Sequence, residues 1–177
     1  FASYDKFDIL RIDKLAKEFN QNFIIKSNGD EYQRIEEVKK TNAKLIIPLR
    51  FPPLFEVEDP FDAEQIDLAD LKHWELAPYN ASILEKNNVE FSFTTNGLKD
   101  YKEFLPNLRK AVKLGLSKNK ALAALTIIPA KWMGMEKVIG SLASGKWANL
   151  LITNGDLFEE KTQIYENWVK GQSYLVK

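Results

Sequence analysis

The sequence has no cysteine and a single histidine, His73. Without cysteine there is no disulfide, no thiolate nucleophile, and no Cys-ligated zinc or iron–sulfur centre. With one imidazole, no site that needs two can be assembled from this chain alone. Neither charge is in excess, because 25 Lys and Arg balance 25 Asp and Glu. That balance argues against a general polyanion binder, so no nucleic-acid partner is expected, although a local basic patch is allowed. No apolar run approaches the ~20 residues needed to cross a bilayer. No basic start followed by an apolar stretch reads as a signal peptide. The lack of cysteine does not choose a compartment.

What remains is an ordinary globular composition, 45% hydrophobic and 12% aromatic. A chain of 177 residues fits one domain with a sizeable core and a small appendage. Phe7, Leu10, Leu15 and Phe19 recur near helical spacing, which predicts a helix over residues 5–20. Asn22–Lys26 reads as a short strand, and Ser27-Asn28-Gly29-Asp30 as a turn with an N-cap. Residues 31–40 read as a helix with Tyr32, Ile35 and Val38 inward, and Lys44–Ile47 as a strand closed by Pro48. Residues 48–66 are rich in proline and acid, a long irregular connection. Helix resumes near Asp67 and is interrupted near Pro78, with Asn80 as the expected cap of a further turn. Glu90–Thr94 reads as a third strand, and 100–114 and 118–126 as helices separated by Gly115-Leu116-Ser117. After Gly134, short β-like runs at 149–153, 163–169 and 173–176 predict a small antiparallel appendage. Strands alternating with helices predict a parallel sheet in the first part. The expected fold class is therefore α/β, with residues 1–135 forming one part and 136–177 the appendage.

Several motifs are weaker than they look. Gly140–Lys146 has the glycine and lysine spacing of a phosphate-binding loop, but Trp147 stands where a Ser or Thr should hold Mg²⁺, and a strand follows instead of a helix. Ser117-Lys118-Asn119-Lys120 matches Ser-x-x-Lys, but its partner motifs are missing, so Ser117 reads as a helix cap. His73 lies mid-helix with no Gly-x-Ser-x-Gly elbow in the chain, and reads as a partly exposed or core-satisfied histidine. Asn80-Ala81-Ser82 has sequon spacing. Glu56, Glu58, Asp59 and Asp62 are the local candidates for a hard cation, with a solvated loop as the plainer reading. The four Trp read as core or interface.

One resemblance accounts for much of this. Its residues are Val89–Asn96, Gly115-Leu116-Ser117, Ala121-Leu122, Ala124-Leu125-Thr126 and Pro129-Ala130. They continue with Ile139-Gly140-Ser141-Leu142, Gly145-Lys146 and Ala148–Ile152. In order and spacing these blocks resemble the C-terminal part of the amidohydrolase superfamily, near its imidazolonepropionase-like and prolidase-like branch. The resemblance implies a TIM barrel with a β-sandwich built from both chain ends. Residues 22–26, 44–47 and 90–94 would be its sixth to eighth strands, and residues 1–3 the end of the fifth. The chain would then be the second half of the barrel plus part of the β-domain, a piece of a longer bacterial protein.

The implied chemistry is metal-assisted hydrolysis of amide or related C–N bonds. The position matching the family's eighth-strand Asp is Asn96, which is neutral and a poor ligand for a d-block metal. The positions matching the family histidines are Phe1 or Ala2 and Lys26 or Ser27. Zinc or another divalent metal is therefore expected only in an intact family member, and no cofactor is expected in this chain. Candidate binding residues at the strand ends are Ser3, Lys26, Ser27, Arg50, Thr95 and Asn96, with Lys26 and Arg50 suited to a carboxylate. A small amide or peptide-like compound is the expected ligand. The expected macromolecular partner is the remainder of the barrel or a second copy. Three functions stay open: a segment with a degenerate site used for binding or packing, a working hydrolase whose metal ligands lie mainly in a missing N-terminal half, or an interaction module using residues 48–66.

Overall fold

Runs of Ile, Leu and Phe bounded by turn residues give the short strands of the first half. In the computed structural model, which describes residues 1–59, 61 and 64–176, β1 (Ile24–Lys26), β2 (Lys44–Pro48) and β3 (Phe91–Thr94) form a parallel sheet in that order. Ile25, Leu45 and Phe91 share one level, and Lys26, Ile46 and Ser92 the next. Ala2 adds a single parallel bridge to Lys26, so the first residues extend the sheet beyond β1. Parallel strands need crossovers, and helices supply them. Before β1 comes α1 (Asp8–Glu18); α2 (Ile35–Val38) links β1 to β2. The helices α3 (Leu68–Leu76) and α4 (Asn80–Lys86) lie between β2 and β3, and α5 (Phe104–Lys113) follows. Fully buried Ile9, Ile25, Val38, Leu45, Ile47, Leu84, Phe91 and Leu108 come from strands and helices alike. One sheet face is thus sealed by helices.

Local chemistry sets the helix ends. Asp5 Oδ1 accepts the N–H groups of Phe7 and Asp8 (2.7 and 3.0 Å) at the start of α1. Gly115, at φ +107°, ends the helical region after α5, a conformation that costs glycine little. The expected helix over 31–40 opens as a 3₁₀ turn, Glu31–Arg34, before α2. Its first residue, Glu31, is fully buried. Asn80 does not cap α4: it is the first residue of that helix, and its side chain reaches Glu31 and the Tyr32 N–H.

The chain divides into two compact units, Phe1–Leu116 and Ser117 onward. The second opens with α6 (Lys118–Leu125), capped by Ser117, whose Oγ accepts the Lys120 N–H at 3.1 Å. It continues with α7 (Ile127–Trp132), which the sequence pattern did not suggest because of Pro129; proline is tolerated in a first turn. Gly140 is required by close approach, since a Cβ there would stand 2.7 Å from the Ala130 Cβ. β4 (Leu150–Thr153), β5 (Ile164–Val169) and β6 (Gln172–Leu175) then form the expected antiparallel sheet. Lys170 and Gly171, both at positive φ, make the two-residue turn between β5 and β6. The protein is α/β, a parallel sheet with helices plus a separate antiparallel sheet. Among the described residues no helix is long and apolar enough to cross a membrane.

Candidate functional site

Parallel strands deliver their C-terminal ends to one edge of a sheet, where the following loops collect. The six expected residues lie along that edge but do not form one cluster. Ser3 is buried, and its Oγ donates to the Asp5 carbonyl at 2.8 Å. Ser27 is also buried, its Oγ 3.4 Å from the Ile46 carbonyl. The Ser3 hydroxyl is thus spent on the backbone, whereas the Ser27 hydroxyl lies between the Ile46 carbonyl and the Glu31 carboxylate. Lys26 and Asn96 come together, with Lys26 Nζ 3.4 Å from Asn96 Oδ1. Thr95 is exposed, and its carbonyl accepts the Leu98 N–H at 3.2 Å, closing the turn after β3. Arg50 extends over the loop edge, where its Nη2 donates to Asn28 Oδ1 at 2.6 Å.

Beside Arg50 lies an open cleft of about 550 Å³ at the same edge of the sheet. Asn28 and Gly29 after β1, Arg50 to Pro53 after β2, and Gly97 and Lys99 after β3 form its rim. His73 and Ala77 enter from α3 and the turn following it, and Glu103, Asn107 and Lys110 from α5 and the turn before it. Of these, only Arg50 is a binding candidate from the sequence. The missed signal was available: Asn28-Gly29 and Asn96-Gly97 are Asn-Gly pairs directly after strands, where backbone turns bring loop residues together. Gly97 sits at φ +83°, and a Cβ there would stand 2.8 Å from Arg50 Cδ. Arg50 therefore lies across a glycine, where any other residue would displace it.

Behind the rim is a buried polar layer. Glu31 is wholly buried: Oε1 accepts the Gly29 N–H at 3.0 Å, and Oε2 accepts Asn80 Nδ2. Asn80 Oδ1 in turn accepts the Tyr32 N–H at 2.9 Å. Burial raises the Glu31 pKa above the usual carboxylate value, against the lowering effect of the Asn80 and Ser27 hydrogen bonds. Asp30 is also raised by burial; its Oδ2 accepts the Lys6 N–H, and its buried Oδ1 has no hydrogen-bond partner. The half-buried His73 shares a 2.9 Å hydrogen bond between Nδ1 and the Tyr32 hydroxyl, and the two rings stack. This layer fixes the Asn28-Gly29 turn and hence the anchor of Arg50.

The other motifs resolve into structure. Lys146 folds onto its own loop, donating to the Glu136 carbonyl and to Ser141 Oγ (2.8 Å), so the ammonium serves the turn. Asn80 is 4% exposed, which leaves the sequon asparagine inside the fold. Glu56, Glu58 and Asp59 are exposed, and Asp62 lies outside the described residues. Among the described residues no three His, Cys, Asp or Glu side chains converge as a metal set. The strand ends present an ammonium, a guanidinium and neutral amides. Such a set does not fit a divalent cation, for which anionic oxygens or imidazoles are needed.

The sequence profile of the amidohydrolase family matches residues 79–176. Among solved structures, an amidohydrolase from Thermotoga maritima is similar, with a TM-score of 0.72 and 21% identity. That likeness covers 99% of this chain and 43% of the other. A prolidase complexed with N-methylphosphonate-L-proline gives a TM-score of 0.60 at 14% identity, over 98% of this chain and 50% of its own. A Xaa-Pro dipeptidase with bound methionine in the active site gives 0.58 at 14%, over 98% and 49%. The chain thus spans half or less of the length of these structures. No curated protein matches it.

Proposed function

The chain belongs to the amidohydrolase family, and from that premise we propose that it is the C-terminal portion of an amide-hydrolase-type protein whose strand ends here bind substrate instead of metal. In this reading the parallel sheet is the second half of a TIM barrel, and β4–β6 are part of the composite β-domain. The parts that complete both are the remainder of the barrel or a second copy of the chain. The observation that carries the reading is the pairing of Lys26 with Asn96 at the strand ends. An ammonium repels a divalent cation, and Asn cannot take a proton from bound water. A small amide or peptide-like compound is the ligand; two similar structures hold N-methylphosphonate-L-proline and methionine.

A second reading has support in the fractional coverage, 43–50% of the similar structures. The protein would be a working metal-dependent hydrolase whose metal ligands lie mainly in an N-terminal half, with Asn96 tolerated at the family Asp position. Metal analysis of the full-length protein with Lys26→Ala and Asn96→Ala tests the common premise. We expect metal content unchanged by either substitution. Loss of a stoichiometric metal on replacing Asn96 would sink the proposal. With metal content unchanged, hydrolysis of acyl-amino compounds abolished by a chelator would select the second reading over a degenerate site.

A further inference from the structure

We propose that the cleft beside β2 is a carboxylate-binding subsite, built to hold an acid joined to an amide with an apolar body. The inference rests on the reading that this edge of the sheet binds substrate, and names the ligand's chemistry. Three cations, Arg50, Lys99 and Lys110, line the cleft against one carboxylate, Glu103. Among the described residues none of the three is held in an ion pair. Three cations against one carboxylate leave the lining positive in a chain of zero net charge, which favours an anion.

Arg50 is also positioned. Asn28 Oδ1 takes one of its N–H donors, and the side chain rests on the bare backbone of Gly97. A guanidinium has five donors in a flat fork, so those left over match a carboxylate's two oxygens. Lys110 Nζ stands 5.2 Å from the Phe51 ring centroid, a cation–π contact that holds the charge over the cleft.

Two amides supply the second half of the recognition. Asn28 uses its oxygen on Arg50, which leaves its NH₂ as a donor. Asn107 uses its NH₂ on the Leu49 carbonyl (2.8 Å), which leaves its oxygen as an acceptor. One donor and one acceptor complement a neutral amide. Phe51, Pro52 and Pro53 give the apolar wall.

The test is calorimetric titration of the full-length protein, in chelator to stop turnover, with N-acetyl-L-leucine and with N-acetyl-L-leucinamide. The two probes differ only in the carboxylate. We expect the acid to bind at least about tenfold more tightly than the amide. Arg50→Gln should abolish that preference, and Arg50→Lys should restore part of it, since a point charge replaces the fork. Equal affinity for the two probes, no binding of either, or an unchanged preference in Arg50→Gln would each overturn the proposal. Circular dichroism of each variant excludes misfolding as the cause of lost binding. None of these outcomes bears on metal content, so the proposal and the reading beneath it fail separately.

Discussion

At the scale of single residues, the polar layer behind the cleft determines a pH dependence. Asp30 and Glu31 both have pKa values raised by burial. Their folded values lie above the unfolded ones, so the folded state holds protons that the unfolded state gives up. The stabilisation is fully present below the ordinary carboxylate pKa and is lost as pH rises through the folded values. Glu31→Gln removes one titration while keeping the shape. Urea unfolding from about pH 4 to about pH 7 should show wild type losing stability relative to Glu31→Gln as pH rises. Parallel profiles would mean that the three donors around Glu31 offset its desolvation. Gly97→Ala makes the second point at this scale. The new methyl would meet Arg50 Cδ at 2.8 Å on a backbone at φ +83°. Strain of about 1 kcal/mol or more should appear as a lower unfolding midpoint, together with weaker N-acetyl-L-leucine binding. The Glu31–Asn80 contact at the centre of this layer was not legible in the sequence. Glu31 looks like a surface glutamate at a helix start, and only the fold shows that Asn80, 49 positions later, waits for it.

At the scale of elements, legibility follows periodicity. The three parallel strands were readable because each is a short run of Ile, Leu or Phe between turn residues. The antiparallel strands were readable because glycines punctuate them. The missed elements are short: α7 carries a proline in its first turn, and the 3₁₀ turn at Glu31–Arg34 opens on a buried carboxylate. The energetic weight of these elements differs. Phe91, the first residue of β3, is wholly buried and sits edge-on to Phe93 at 5.5 Å. Phe91→Ala should cost about 3–5 kcal/mol in urea unfolding. Ser117→Ala removes only a cap from α6, and should cost about 1 kcal/mol. A Phe91→Ala cost no larger than that of Ser117→Ala would mean that the sheet core collapses around the cavity.

At the scale of the whole molecule, each sheet has surface that the described residues do not cover. On the parallel sheet, Ile25, Leu45 and Phe91 are sealed, whereas Ile24, which points the other way, is 37% exposed. On the antiparallel sheet, Leu151, Ile152, Tyr165, Val169, Tyr174 and Leu175 are all exposed. Leu151, Tyr165, Val169 and Tyr174 lie on one face and Ile152 and Leu175 on the other, so both faces carry apolar side chains that support the proposal of further protein covering them. The chain also accounts for half or less of the similar structures. Both facts fit an open half-barrel that more protein closes, whether from the same chain or from a second copy. The proposal can be read at one position. If the Ile24 face stays in water, Ile24→Asp is a surface change, worth within about 0.5 kcal/mol. If the remainder of a barrel packs on it, the same substitution buries an unpaired carboxylate, at a cost of several kcal/mol. We expect the second outcome for the full-length protein in urea unfolding. Lys14→Asp, on an exposed helix position, serves as the control for charge alone. Equal small effects at the two positions would leave the face in solvent, and the half-barrel proposal would fall.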